Sequence, residues 1–181
     1  MQLFLVAMIS LSTYIIGCHW EERTKQSQIA WDRSIDNLLL ICTTSLFLPD
    51  PPTGTGTLAP LVCWTLLSEG LFTATHRMLH APHLYKAIHK RHHENNPSSA
   101  TACLDSHPVE FLLGNVSIVV LPMILVPGTR AVQLIWVFLA VANTIYAHGT
   151  RGPHMIHHSQ FNVNYGQGFY LFDRMLGTYR S

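Results

Sequence analysis

Five stretches of the chain are predominantly apolar: Leu3 to Cys18, Ile35 to Leu48, Leu58 to Thr75, Phe111 to Val126 and Ala131 to Ala147, of 16, 14, 18, 16 and 17 residues. At a rise of about 1.5 Å per residue they predict helices of about 21 to 27 Å. That is short against an average hydrocarbon core of about 30 Å, close to the ~27 Å of the endoplasmic reticulum bilayer, and the 14-residue stretch suits partial penetration. Turn residues punctuate the pattern. Pro49, Pro51, Pro52, Gly54 and Gly56 precede the third stretch, and Pro127-Gly128-Thr129-Arg130 folds the last two into a helical hairpin. The first stretch lacks a basic leader and a small-x-small cleavage site before His19 and Trp20, so it reads as a retained anchor helix.

The polar positions lie between these stretches, and their charges are one-sided. If residues 19–34, 76–110 and 148–181 share a side, that side holds Arg23, Lys25, Arg33, Arg77, Lys86, Lys90, Arg91, Arg151, Arg174 and Arg180, leaving Arg130 opposite. Cationic loops prefer the cytoplasm, which predicts a cytoplasmic polar cap. Composition agrees with a membrane protein: 48% of residues are hydrophobic and only 12% charged, against about a quarter charged in soluble domains. A formal charge of +1 offers no surface for nucleic acid. Cys18, Cys42, Cys63 and Cys103 form no C-x-x-C and imply no disulfide framework. The expected fold is an all-α integral membrane bundle, four or five short apolar helices with a small histidine-rich helical cap, in one domain spanning residues 1–181.

The 12 histidines outnumber lysine and arginine together, and nine of them fall in four places. His76 and His80 are four apart at the end of the third apolar stretch, where Pro82 stops the helix. His89, His92 and His93 stand at i, i+3 and i+4, which converge on one face of a helix. His154, His157 and His158 repeat that spacing behind Pro153, placed as a first helical residue, and His148 ends the return helix of the hairpin. Every cluster sits where a membrane helix meets the cap. Half-buried imidazoles are costly unless their nitrogens are bonded, and metal ligation satisfies them. A single zinc takes four protein ligands at most, whereas eight or nine suffice for two metals with open positions. Imidazole alone does not choose among iron, copper, zinc and nickel.

His76-Arg77-Met78-Leu79-His80, His89-Lys90-Arg91-His92-His93 and His154-Met155-Ile156-His157-His158 resemble the three histidine boxes of the fatty acid hydroxylase/sterol desaturase superfamily. The likeness extends to Leu84-Tyr85-Lys86, to Ser106-His107-Pro108-Val109-Glu110, and to Phe161 through Gln167 with Leu171-Phe172-Asp173-Arg174 and Gly177-Thr178. It covers residues 64–180 and is nearest the sterol C5-desaturase branch. His148-Gly149 matches a position commonly treated as a ligand, with Thr144 one turn back, so the chain resembles members with nine histidines. The resemblance implies an endoplasmic reticulum enzyme holding two iron ions. It implies the use of dioxygen to hydroxylate or desaturate a C–H position of a sterol or fatty-acyl lipid, with electrons from cytochrome b5 or a comparable carrier. No haem-attachment motif, dinucleotide loop or cysteine cluster appears in the sequence, so electrons are expected from outside. Lys86, Lys90, Arg91, Arg151 and Arg174 are candidates for the docking face.

Other residues are weighed against plainer roles. Glu69, seven residues before His76, is a candidate either to hydrogen-bond a ligand imidazole or to make a polar helix contact. Asn164 and Tyr165 in the matching tail are candidate supports, as are Asp173 and Arg174 for the third box. Asp105 and Glu94 are read as solvated, His107 as a loop or cap residue before Pro108, and His83 and His19 as surface or interfacial. Trp20, Trp31 and Trp64 are read as aromatic-belt anchors. Competing classes fit less well. A zinc hydrolase leaves most of these histidines superfluous, a metal transporter or other non-catalytic metal-binding protein should carry ligands at mid-membrane rather than at helix ends, and a carotenoid-type hydroxylase is disfavoured by Asn164-Tyr165-Gly166.

Overall fold

The computed structural model describes residues 14–15, 25–44, 50–95, 99–149 and 152–181. The anchor expected over Leu3–Cys18 lies almost wholly outside them, as do His19 and Trp20. Among the described residues the chain is helical without strands, its one β-bridge joining Thr53 to Gly128. Helix α1 runs Lys25–Thr44, α2 Leu58–Leu79, α3 Pro82–Ala87, α4 Pro108–Leu125, α5 Arg130–Gly149, α6 Pro153–Gln160 and α7 Leu171–Leu176, with 3-10 turns at His89–Glu94 and Ala100–Ala102.

Helices α2, α4 and α5 are long and apolar enough to cross a membrane. They coincide with the third, fourth and fifth apolar stretches. Their apolar residues are not all inward. Leu58, Val62 and Leu66 form an i, i+4 stripe exposed on α2, as do Leu121 and Leu125 on α4, and Ile135 and Leu139 on α5. A helix apolar on its outer face matches hydrocarbon rather than water. The second apolar stretch enters α1 ten residues after that helix begins.

At the end remote from the histidines, the Thr53–Gly128 bridge ties the loop before α2 to the α4–α5 hairpin, where Gly54 N–H donates to Gly128 and Thr129 N–H to the Gly56 carbonyl. A Cβ on Gly54 would stand 2.6 Å from the Pro127 carbonyl oxygen, so only glycine admits that approach. Above it, Trp64 is fully buried with Met123, Val132, Trp136 and Val137, and its indole donates to the Val126 carbonyl at 2.8 Å. The anchor role expected of Trp64 is thereby corrected: its amphipathic ring is spent on the bundle core. Trp31 is half-buried, stacked on Tyr14 at 5.2 Å against the Leu38, Leu104 and Phe111 cluster.

Helices α2 and α5 end on the same side, and α4 starts there. Pro82 behaves as expected: α2 stops at Leu79, and the proline opens α3. Pro153 likewise opens α6. The cap therefore grows from helix ends, with His76 and His80 closing α2 and His148 closing α5.

Candidate metal centre

Eight of the nine histidines are buried and His80 is half-buried. They separate into two groups, within each of which one ring nitrogen per residue lies within 4.8 Å of the others: His76, His80, His89, His93 and His157, and His92, His148, His154 and His158. The division cuts across the motifs. In the second box the i, i+4 pair His89 and His93 joins the first group while His92 joins the second. In the third box His154 and His158 join the second group and His157 crosses to the first. The spacing predicts one face per box; His76 and His80 of the first box do stay together, whereas the second and third boxes are each split between the two groups. The second box is moreover a 3-10 turn rather than an α-helix, and adjacent positions in a turn of three residues diverge by about 120°.

Backbone carbonyls fix the tautomers. His76 Nδ1 donates to the Tyr165 carbonyl at 2.7 Å, His157 Nδ1 to Val163 at 2.8 Å, His148 Nδ1 to Thr144 at 2.8 Å and His92 Nδ1 to Asp105 at 3.1 Å. His89 Nδ1 donates to the Glu110 carboxylate at 2.7 Å. A neutral imidazole carries one N–H, so each of these rings turns a bare Nε2 lone pair inward. His76 Nε2 then faces His89 Nε2 at 3.0 Å, and His92 Nε2 faces His148 Nε2 at 3.2 Å. Two lone pairs cannot hydrogen-bond each other. A cation resolves the conflict, because two nitrogens bound to one ion at ~2.1 Å stand about 3.0 Å apart at a right angle and about 3.4 Å at the tetrahedral angle. One such facing pair occurs in each group, so the residues present fit two metal ions. His80, which has His157 Nε2 at 3.1 Å and His89 Nε2 at 3.1 Å, completes the same set.

The surroundings keep the rings neutral, as ligands must be. Burial is the largest cause, followed by neighbouring imidazoles; together they bring His80 down to about 4 and His157 to about 3. They push His89, His93, His154 and His158 below the ordinary histidine range.

Around the rings the chain makes a frame. The buried Asp173 carboxylate accepts from Tyr165 N–H at 2.9 Å, Gly166 N–H at 2.6 Å and the Thr178 hydroxyl at 2.6 Å. It thus holds the 163–166 segment whose carbonyls orient His157 and His76. Asn164, left-handed at φ 51, donates to the Pro153 and Arg180 carbonyls and accepts from Arg180 N–H, stapling the start of α6 to the C-terminal strap. Tyr165 supplies a carbonyl, and its ring packs 5.5 Å from His157 and 5.3 Å from His80.

Arg174, expected beside the third box, is exposed and stacks over the Tyr179 ring at 3.8 Å, away from the imidazoles. Glu69 makes the polar helix contact: its carboxylate accepts from Leu171 N–H at 2.5 Å and joins α2 to α7. Asp105, contrary to the expectation of a solvated side chain, is fully buried, accepting from Arg91 at 3.1 Å and Asn95 at 3.0 Å while its carbonyl orients His92. Glu110 ends the Ser106–Glu110 motif, where spacing gives it no role; its approach to His89 Nδ1 at 2.7 Å comes only from the tertiary fold. Glu94 stays at the surface paired to Arg33 at 3.1 Å, His83 is exposed, and His107 caps α4 through Val109 N–H.

Next to the rings, an apolar cavity of about 460 Å³ opens between α1, α2, α4 and α5, walled by residues such as Leu38, Leu61, Phe111, Ile118 and Val137. A space of about 20 Å³ joins the two groups, lined by His76, His89, His92 and His148. Phe72, Gly114, Asn115, Thr144 and Gln167 border both.

Residues 61–178 match the family model for fatty acid hydroxylase. Among similar proteins, human fatty acid hydroxylase domain-containing protein 2 is 34% identical over 130 residues, 67% of this chain and 38% of its own length. Delta(7)-sterol 5(6)-desaturase ERG3 of Saccharomyces cerevisiae is 34% identical over 122 residues, 61% of this chain and 33% of its own. Delta(7)-sterol 5(6)-desaturase erg3B of Aspergillus fumigatus is 34% identical over 152 residues, 74% and 44% respectively. This chain therefore spans about a third to somewhat under half of the length of these relatives. No solved structure matches it. The histidine boxes, the apolar helices and the match across 61–178 place the chain in the fatty acid hydroxylase family.

Proposed function

We propose that the chain is a di-iron, dioxygen-dependent oxidoreductase that hydroxylates or desaturates a C–H position of a sterol or fatty-acyl lipid. The observation that carries this is the pair of facing Nε2 lone pairs in each histidine group, set at the inner end of an apolar cavity. His76, His80, His89, His93 and His157 would hold one ion, and His92, His148, His154 and His158 the other. Two iron ions, when bound, would supply the activation of dioxygen and the oxidising power to break an unactivated C–H bond.

The protein's own residues do the rest. The walls of the cavity take an alkyl body and exclude water, which strengthens every polar contact at its inner end. The carbonyls of Thr144, Val163 and Tyr165, with Glu110, fix the rings so that their lone pairs need no reorientation on loading. Since hydroxylation and desaturation share the first hydrogen abstraction, the carbon presented at the Phe72–Thr144 border decides the outcome. Electrons come from a carrier such as cytochrome b5, met by a face including the exposed Lys86 and Lys90. The histidine cap faces the cytosol from the endoplasmic reticulum membrane, on the side opposite Arg130.

Iron-loaded protein in lipid nanodiscs, supplied with reductant, a carrier and ¹⁸O₂, tests this by mass spectrometry of lipids. A product gaining ¹⁸O or losing two hydrogens, dependent on iron and dioxygen, is expected. Metal-dependent hydrolysis of a lipid ester without dioxygen would overturn it.

A further inference from the structure

The border between the apolar cavity and the histidine centre is polar in a specific way. Gln167, Thr144 and Asn115 all touch both spaces. Burying amides and hydroxyls in an apolar passage costs free energy unless they are bonded. Gln167 Nε2 is buried and has no hydrogen-bond partner among the described residues. It is also held firmly. The preceding Gly166 is pinned to Asp173, and the following Gly168 sits at φ +123, a conformation that side-chain-bearing residues rarely adopt.

Thr144 offers the opposite polarity. Its hydroxyl donates to the Ala140 carbonyl at 3.0 Å, so its proton is committed and the oxygen can only accept. It stands one turn before His148, whose Nδ1 it orients through its own carbonyl. Asn115 arrives by a backbone irregularity. Residues Phe111–Val116 form a π-turn inside α4, and the extra residue in such a turn re-aims the side chains around it, often at functional sites.

We infer that Gln167 and Thr144, with Asn115 beside them, form a subsite for the hydroxyl group of a lipid alcohol, held next to the carbon that is oxidised. A hydroxyl accepts from the Gln167 amide and donates to Thr144 Oγ1, satisfying both. A ketone or ester oxygen has no proton for Thr144, and a bare alkyl chain satisfies neither. The inference rests on the lipid oxidoreductase reading and narrows it to substrates whose reacting carbon lies within a few bonds of an alcohol. Gln167 and Thr144 act here as specificity-determining residues.

The test is competition binding to the metal-loaded full chain in phosphatidylcholine nanodiscs, using matched probes: a Δ7-sterol with its 3β-hydroxyl, its 3-ketone and its 3-deoxy counterpart, and hexadecan-1-ol against hexadecane. In at least one frame the alcohol should bind about tenfold or more tightly than its deoxy partner, with the ketone between. In a Thr144→Val/Gln167→Leu double variant that retains its metal content and melting temperature, the preference should fall to about twofold. Should that variant misfold, the unmutated series decides alone. Equal affinity for alcohol and deoxy lipid in both frames overturns the inference, as does a preference that survives in the folded double variant. If the preference holds while no lipid is oxidised under dioxygen and reductant, the oxidoreductase reading fails and the subsite stands. If oxidation proceeds with no preference, the subsite fails and the reading stands.

Discussion

Asp173→Asn isolates the frame from the imidazoles it supports. The wild-type carboxylate accepts three hydrogen bonds, two at Oδ1 and one at Oδ2, from a site with no solvent exposure. Asparagine keeps the shape but offers one acceptor oxygen, and its NH₂ would face the Gly166 N–H that now lies 2.6 Å from Oδ2. Hydrogen bonds to a charged acceptor contribute about 1.5–3 kcal/mol each, and a buried donor left unpaired costs a similar amount. Losing one outright and weakening two sums to about 2–4 kcal/mol. The damage should be local, since Asp173 holds the segment whose carbonyls orient His76 and His157, both in the five-histidine group. Loss of such an outer partner typically weakens metal affinity about 10–100-fold. Chelator competition on purified protein should therefore show one metal released about 10–100-fold more readily while the other is nearly unchanged, with a lowered melting temperature in the metal-free form. An unaltered melting temperature together with wild-type release of both metals would refute this account of Asp173.

Three further outcomes follow from the same geometry. Gly166→Ala should weaken the same metal without removing any polar group, because its Cβ would stand 2.8 Å from Asp173 Oδ2 and 3.2 Å from Thr73 Oγ1; chelator competition reads it. Glu110→Gln should weaken retention of the metal bound by His89 by up to about tenfold, and Glu110→Ala more, because only the alanine variant abolishes the acceptor at Nδ1; metal analysis after dialysis distinguishes them. Metal-free protein should lose stability as pH falls below about 6.5. His80 and His157 titrate in the folded state at about 4 and about 3, so the unfolded chain binds more protons through that window and acid favours it. Melting temperature against pH, with and without metal, checks this, and a flat profile between pH 7 and 4 contradicts it.

Much of the molecule was legible in the sequence because one-dimensional periodicity governs it. Apolar runs between turn residues located α2, α4 and α5 to within a few residues, and histidine spacing placed the cap at helix ends. What periodicity cannot convey is which neighbour a side chain meets. Glu110 and Asp105 look alike as carboxylates near a box; one meets His89 and the other is buried between Arg91 and Asn95 because the chain folds back over the 3-10 turn. Trp64 has the composition of an interface anchor, yet Trp136 and Met123 close over it. The sorting of His92 away from His89 and His93 depends on the 3-10 turn, and that of His157 away from His154 and His158 within α6 on which rings of other segments they meet, His80 for His157 and His148 for His154; spacing leaves both open. Glu69 turned toward Leu171 rather than His76 because α7, about a hundred residues on, brings an unpaired helix N–H to it.

The most direct test of the two-centre account is the number of metals bound per chain. Protein purified after iron-supplemented expression, quantified by amino-acid analysis and inductively coupled plasma mass spectrometry, should carry two metal ions per chain. His76→Ala and His148→Ala, each removing one ring from a different group, should each reduce the count toward one. Zinc in place of iron would leave the prediction intact, since zinc binds imidazole sites well. One metal per fully loaded chain, or a single substitution that empties neither group, would contradict it.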